Sequence, residues 1–220
     1  SRTTFYYKYL LNNCSWSSTI TTLETGQKKS DFDQEPVLKR MEIQLQKSGI
    51  KTINTKKSNL NWAMVNIRHI TKNYFNKKYI LIFPFCSPKL KEKKWPYYHM
   101  LISQLKTKYS RKYEIVLAPG PNEINEAKLL NAHVILDQDK SLKLVQLISL
   151  VKEASFVIAN DTGPAHICSH LGKPGIVLFG GHTSANKVSI ETEKFKPISV
   201  NNLNLLKAET VMDKIKKVLN

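Results

Sequence analysis

The chain has 220 residues, of which 41% are hydrophobic and 23% charged, with 8 Gly and 9 Pro. At about 150 residues per domain, that is room for one full core and roughly half of another. The composition is globular and excludes collagen-like repeats and wholesale disorder. The apolar runs at 79–86 and 175–179 fall far short of the roughly 20 residues a membrane helix needs.

A formal net charge of +17 attracts polyanions in principle. Its make-up points elsewhere. Of the 34 basic residues, 30 are Lys and only 4 are Arg: Arg2, Arg40, Arg68 and Arg111. Readers of base sequence lean on the planar fork of Arg, so no nucleic-acid partner is expected. Lysines spread among many Asn and Ile fit the codon bias of an AT-rich genome, or a general attraction to an anionic membrane or acidic substrate. Cys14, Cys86 and Cys168 are odd in number and lack CxxC spacing. They suit a reducing compartment and buried small hydrophobes, not a disulfide frame or a zinc site. The chain opens Ser1-Arg2-Thr3-Thr4-Phe5, without initiator Met or a basic-then-apolar leader. The expectation is a cytoplasmic protein, and a piece of a longer one.

Residues 1–35 are rich in Ser, Thr, Asn and Tyr and show little periodicity. Residues 34–47 then read as an amphipathic helix, with Val37, Leu38, Met41 and Leu45 at helical spacing and Ser48-Gly49 as a stop. A Lys/Asn-rich stretch over 51–61 reads as a linker or surface loop. From residue 79 onward, strands are expected at 79–83, 114–118, 133–136, 156–159 and 175–179. Helices are expected at 97–109, 122–131, 141–152, 163–171 and 208–219. The strands are short apolar runs rather than alternating ones, so both their faces are buried. Alternation of such strands with helices means α/β, a Rossmann-like parallel sheet between helices. Ligands of such sheets sit beyond the carboxyl ends of the strands. The loops after the first, second and fourth strands are therefore the places to look for chemistry.

After the fourth strand comes Asn160-Asp161-Thr162-Gly163-Pro164-Ala165-His166. Thr162 is expected to cap the helix, and Pro164 suits its first turn. Gly163 lets a ligand oxygen approach the backbone, and a helix start is a ready phosphate site. His166 lies in the same turn. The alternative is a well-capped helix whose Asp and Thr only satisfy amides. After the first strand, Ser87 and the run Lys89 to Lys94 place ammonium groups beside the same face, as phosphate binders or as a solvated charge run. After the second strand, Glu123 either complements a helix dipole or accepts bonds from ribose hydroxyls. The two Asp-x-Asp matches, Asp31-Phe-Asp33 and Asp137-Gln-Asp139, are not expected to hold a metal; Asp139 or Ser141 reads as a helix cap.

Together these residues resemble glycosyltransferase family 9, the heptosyltransferases of lipopolysaccharide assembly. The resemblance rests on Pro84 and Ser87, and on Lys93-Lys94-Trp95-Pro96 for the family's Lys-x-Trp-Pro. It continues through Glu123 and Asn160 to His166, then Leu171-Gly172-Lys173-Pro174 running into an apolar strand. It covers about 79–219, and more weakly back to 34. It implies a two-domain GT-B fold, with residues 71–220 as the nucleotide-sugar domain and 1–70 as the remnant of an acceptor domain and linker. It also implies donor binding by Ser87, Lys93, Glu123, Asp161, Thr162, Gly163 and His166, with no cofactor and no metal. The donor would be a nucleoside diphosphate sugar such as ADP-heptose, and the acceptor a lipopolysaccharide core. The catalytic base is expected in the absent part, so the chain would bind donor without turnover. Helix 208–219 is expected to return onto that part, and the lysines to favour peripheral contact with the inner leaflet. Two alternatives stand: a GT-B enzyme with another nucleotide-sugar, or a Lys-rich nucleic-acid binder whose Tyr6, Tyr7, Tyr9 and Trp16 stack bases.

Overall fold

The run Lys-Tyr-Ile-Leu-Ile-Phe forms strand β1 (Lys78–Phe83), buried in every residue but its first. Four more strands follow: β2 (Tyr113–Leu117), buried except at Glu114, the short, partly buried β3 (His133–Val134), and β4 (Phe156–Asn160) and β5 (Gly175–Phe179), buried throughout. A sixth strand, β6 (Phe195–Ser199), completes the sheet. All neighbours are parallel and the order is β3-β2-β1-β4-β5-β6. The chain works outward from β1 to β3, then returns to lay β4 on the other side of β1. The crevice at the β1/β4 reversal is where such sheets hold ligands.

The computed structural model describes residues 26–32, 34–47, 49–52, 59–72 and 74–219. Residues 1–25, with Cys14 and the aromatic residues at 6–16, lie outside that set, as do Asp33 and the middle of the expected linker. The chain divides into two units, Ser1–Lys56 with Lys187–Ser189, and Lys57–Asn186 with Ile190–Asn220. In the first unit, a short helix α1 (Lys29–Phe32) precedes α2 (Val37–Lys47), which begins directly after Pro36. Gly49, at φ +76°, follows it, and the Ile50 amide bonds back to the Leu45 carbonyl. The larger unit begins ahead of residue 70. Ala63, Ile67 and Ile70, around a 3-10 turn and α3 (Arg68–Thr71), are buried in it, and the Val65 amide donates to Ser149 Oγ.

In the larger unit, α4 (Tyr98–Tyr109) and α8 (Ala208–Leu219) pack on one sheet face. Leu101, Ile102, Leu105, Val211 and Ile215 join Ile80, Ile115, Phe156 and Ile176 there in one core. The alternate strand residues, such as Leu81, Val157 and Val177, turn to the opposite face and are equally buried. Helices α6 (Leu144–Glu153) and α7 (Gly163–His170) pack on each other, with α7 against β4. Between β2 and β3 runs a short α5 (Ile124–Lys128). Among the described residues no helix is long and apolar enough to cross a membrane.

Four expectations need correction. The apolar face of α8 is taken up by α4 and the sheet of its own unit, so it is not left for another domain. Strand β6 was not expected, because Lys196, Pro197 and Ser199 break its apolar run; an edge strand tolerates that proline. Cys168 is a buried free thiol as expected, but Cys86 is only partly buried. Helix α6 is capped by neither Asp139 nor Ser141. A tight turn with Gln138 and Asp139 at positive φ carries the chain to Lys143, whose amide donates to Gln146 Oε1, and Gln146 in turn donates to Asp137 Oδ2. Gly175 is fixed by a different constraint: a Cβ there would overlap the Val157 carbonyl and the Phe195 ring.

Two buried side chains bind the loops to this frame. Asn160 is fully buried; it donates to the Pro84 carbonyl at 2.9 Å and accepts from the Tyr98 hydroxyl at 3.0 Å. Trp95 stacks edge-on against Tyr98 and donates to the Leu206 carbonyl at 2.7 Å. Asn160→Ala leaves a buried hydroxyl and a buried carbonyl unpaired and should cost about 2–4 kcal/mol, read as a lower urea midpoint at unchanged m-value. An unmoved midpoint would mean that both groups find other partners. Trp95→Phe keeps the ring but strands the Leu206 carbonyl; a loss of about 1–3 kcal/mol is expected in the same assay.

Candidate functional site

Three loops meet beyond the carboxyl ends of β1, β2 and β4. They enclose a cavity of about 250 Å³ lined by Phe85, Cys86 and Ser87, by Pro119 to Pro121 and Glu123, and by Thr162 and Pro164. Its wall is partly apolar and partly polar. Ser87 Oγ accepts weakly from the Lys89 amide. Glu123 Oε2 accepts from the Gly120 amide at 2.7 Å and so closes the turn that starts α5.

Beside the cavity, α7 begins. Thr162 is its N-cap, with extended backbone, and Pro164 occupies the first turn. Thr162 does not cap with its side chain: its hydroxyl donates to the Asn160 carbonyl at 3.3 Å. The strand end thus holds a hydroxyl that was expected to serve the helix. Nothing stands within 4 Å of the point where a Cβ of Gly163 would lie, so the helix start is open to an approaching group. Unpaired amides and a partial positive charge at such a start favour an anion.

Asp161 is almost fully buried. Its Oδ2 accepts from Lys93 Nζ at 2.6 Å, and the same ammonium reaches the Asp161 carbonyl at 3.4 Å. Lys93 is held there by its own turn. The Leu90 amide bonds to Ser87 and the Lys93 amide to Leu90, and two residues on, Trp95 is anchored in the core. Lys94 points away, pairing with Glu126 and lying 5.7 Å from the Phe85 ring. His166 Nε2 is 3.9 Å from Asp161 Oδ1; burial chiefly, against the pull of Asp161, pushes its pKa below the usual imidazole value.

The fold brings the seven expected residues to one end of the sheet in two groups. Ser87, Glu123 and Thr162 line the cavity, while Lys93 and His166 gather around the carboxylate of Asp161, next to Gly163. One member of the second group was missed. His182 Nε2 lies 3.1 Å from Asp161 Oδ2, and its ring stacks at 18° on Phe179. It follows Gly180-Gly181 at the carboxyl end of β5, a position that the strand-end rule covers equally well.

Among solved structures, the E. coli heptosyltransferase WaaC with ADP is similar, at TM-score 0.63 and 21% identity over 84% of this chain. The E. coli ADP-heptose lps heptosyltransferase II follows at 0.60 and 17%, also over 84%. UDP-GlcNAc 2-epimerase of Methanocaldococcus jannaschii, in complex with UDP-GlcNAc and UDP, matches at 0.53 and 15% over 83%. The chain spans 57%, 62% and 52% of these three proteins, respectively. At such identities the likeness is one of fold, here the GT-B type. No curated protein matches in sequence. The profile of glycosyltransferase family 9 (heptosyltransferase) matches residues 17–218, nearly the whole chain, and the chain belongs to that family.

Proposed function

We propose that this chain carries the nucleotide-sugar site of a heptosyltransferase, with ADP-heptose as donor and a lipopolysaccharide core sugar as acceptor. The observation that carries the reading is the cavity beside the open start of α7, with a lysine poised on Asp161 at its edge. Family membership supports it, as do structural relatives solved with ADP and with ADP-2-deoxy-2-fluoro heptose. In this reading Glu123 holds the ribose, and Ser87 and Thr162 contact phosphate. The first amides of α7, at Gly163, face the diphosphate. Asp161 cannot itself approach a diphosphate, since both are anionic; it orients Lys93 and the histidines instead.

The reaction breaks the bond between the anomeric carbon and the β-phosphate oxygen and forms one to the acceptor oxygen. The acceptor hydroxyl gives its proton to a base outside this cluster. Negative charge grows on the departing diphosphate, where helix-start amides, Lys93 and His166 meet it. The 30 lysines add an attraction to anionic lipid of about 1 kcal/mol for each that reaches the surface, which suits an enzyme whose acceptor is membrane-bound.

Calorimetric titration with ADP, UDP and GDP tests the reading. ADP should bind in preference, and Lys93→Ala should weaken it about 10- to 100-fold through the lost charge-assisted bond. Thr162→Ala should weaken it about 3- to 10-fold. Preference for UDP or GDP would keep the site and change the donor. A folded chain that binds none of the three would remove the donor-site reading.

A further inference from the structure

The carboxylate of Asp161 faces three bases. Lys93 Nζ and His182 Nε2 share Oδ2, at 2.6 and 3.1 Å, and His166 Nε2 stands 3.9 Å from Oδ1. A carboxylate this buried is costly without a cation. In this structure Lys93 is that cation. A diphosphate that recruits Lys93 withdraws it, and the carboxylate then needs a replacement.

Among the described residues the two imidazoles are the bases near enough to serve. His166 is the farther one, 3.9 Å from Oδ1. His182 is already at bonding distance, with its ring fixed against Phe179 and its side chain 11% exposed. Its other nitrogen, Nδ1, is buried and has no hydrogen-bond partner. In a neutral ring that donates from Nε2, this atom is a bare lone pair, the place where a proton adds. Nδ1 and the Glu92 main-chain carbonyl border the same gap, 3.4 and 3.5 Å from where a Cβ of Gly180 would stand, without a hydrogen bond between them.

We propose that His182 is a positioning residue that takes up a proton at Nδ1 when a nucleoside diphosphate draws Lys93 away from Asp161. The carboxylate then passes from a lysine to an imidazolium and keeps its place. This rests on the donor-site reading and adds its regulation: donor binding is linked to pH. Because the bound state holds the extra proton, affinity falls as pH rises, by up to about tenfold per pH unit. The groups that set this are Asp161 from the β4 loop, Lys93 from its turn and His166 from α7; Phe179 and the Glu92 carbonyl complete the surroundings.

The test is calorimetry with ADP from about pH 6.5 to 8.5, in two buffers of different ionisation enthalpy, on the wild-type chain, His182→Gln and His166→Gln. Glutamine can still donate to Asp161 but takes no proton. The wild type and His166→Gln should take up more protons per ADP than His182→Gln, whose affinity should vary less with pH. In parallel, the C2–H resonance of His182, identified by its loss in His182→Gln, should titrate at higher pH with ADP than without. An unmoved resonance, or an unchanged proton count in His182→Gln, overturns the proposal while leaving the donor site standing. Loss of the uptake in His166→Gln instead assigns the proton to the wrong ring and also overturns it. If a folded wild-type chain binds no ADP at any pH, the donor-site reading falls and takes this proposal with it.

Discussion

The side chain of Asn160 can be buried only if both ends of its amide are answered, and the rest of the site hangs on the two answers. Its N–H₂ holds the backbone where β1 ends, at Pro84, and its oxygen holds the Tyr98 hydroxyl at the start of α4. Three segments are thereby locked together within one residue of Asp161. A fully buried amide with both partners is stiff, because moving any one of them strands a polar group away from water. The loop after β1 and the start of α7 consequently share a frame. Trp95 repeats the device one layer out, and Lys93 lies between the two anchors.

Within that frame one carboxylate does the organising. Asp161 is the buried acid around which Lys93, His166 and His182 collect, drawn from the turn before α4, from α7 and from the loop after β5. Its charge orders the cluster, while the neighbouring cavity is left to neutral and apolar walls apart from Glu123. Glu123 in turn spends one oxygen on its own turn. The two halves of the site thus divide labour between charge and shape.

The sheet could be read from the sequence because four of its strands are built around continuous apolar runs, the pattern of two-sided burial. β6 escaped since an edge strand, half solvated and able to carry Pro197, has no such signature. Both helix caps went astray for one reason. Thr162 and Asp139 have suitable side chains, but Thr162 turns to the strand end and Gln146 captures the role at α6. Where a small polar side chain points is settled by tertiary neighbours, not by its own type. Lys93 and Asp161 were each visible as candidates, but their pairing across 68 residues was not. His182 shows that a rule about strand ends has to be applied at every strand.

The bond from Trp95 to the Leu206 carbonyl spans 111 residues and joins the turn before α4 to the turn before α8. Synthesis runs from amino to carboxyl end, and most contacts of the Lys93 turn are available early in that run. The indole's acceptor is not. It is made 111 residues later, together with the α8 residues that cover the same core. The turn that presents Lys93 therefore waits for its anchor until that segment has been made, and the cluster around Asp161 assumes its final geometry no earlier.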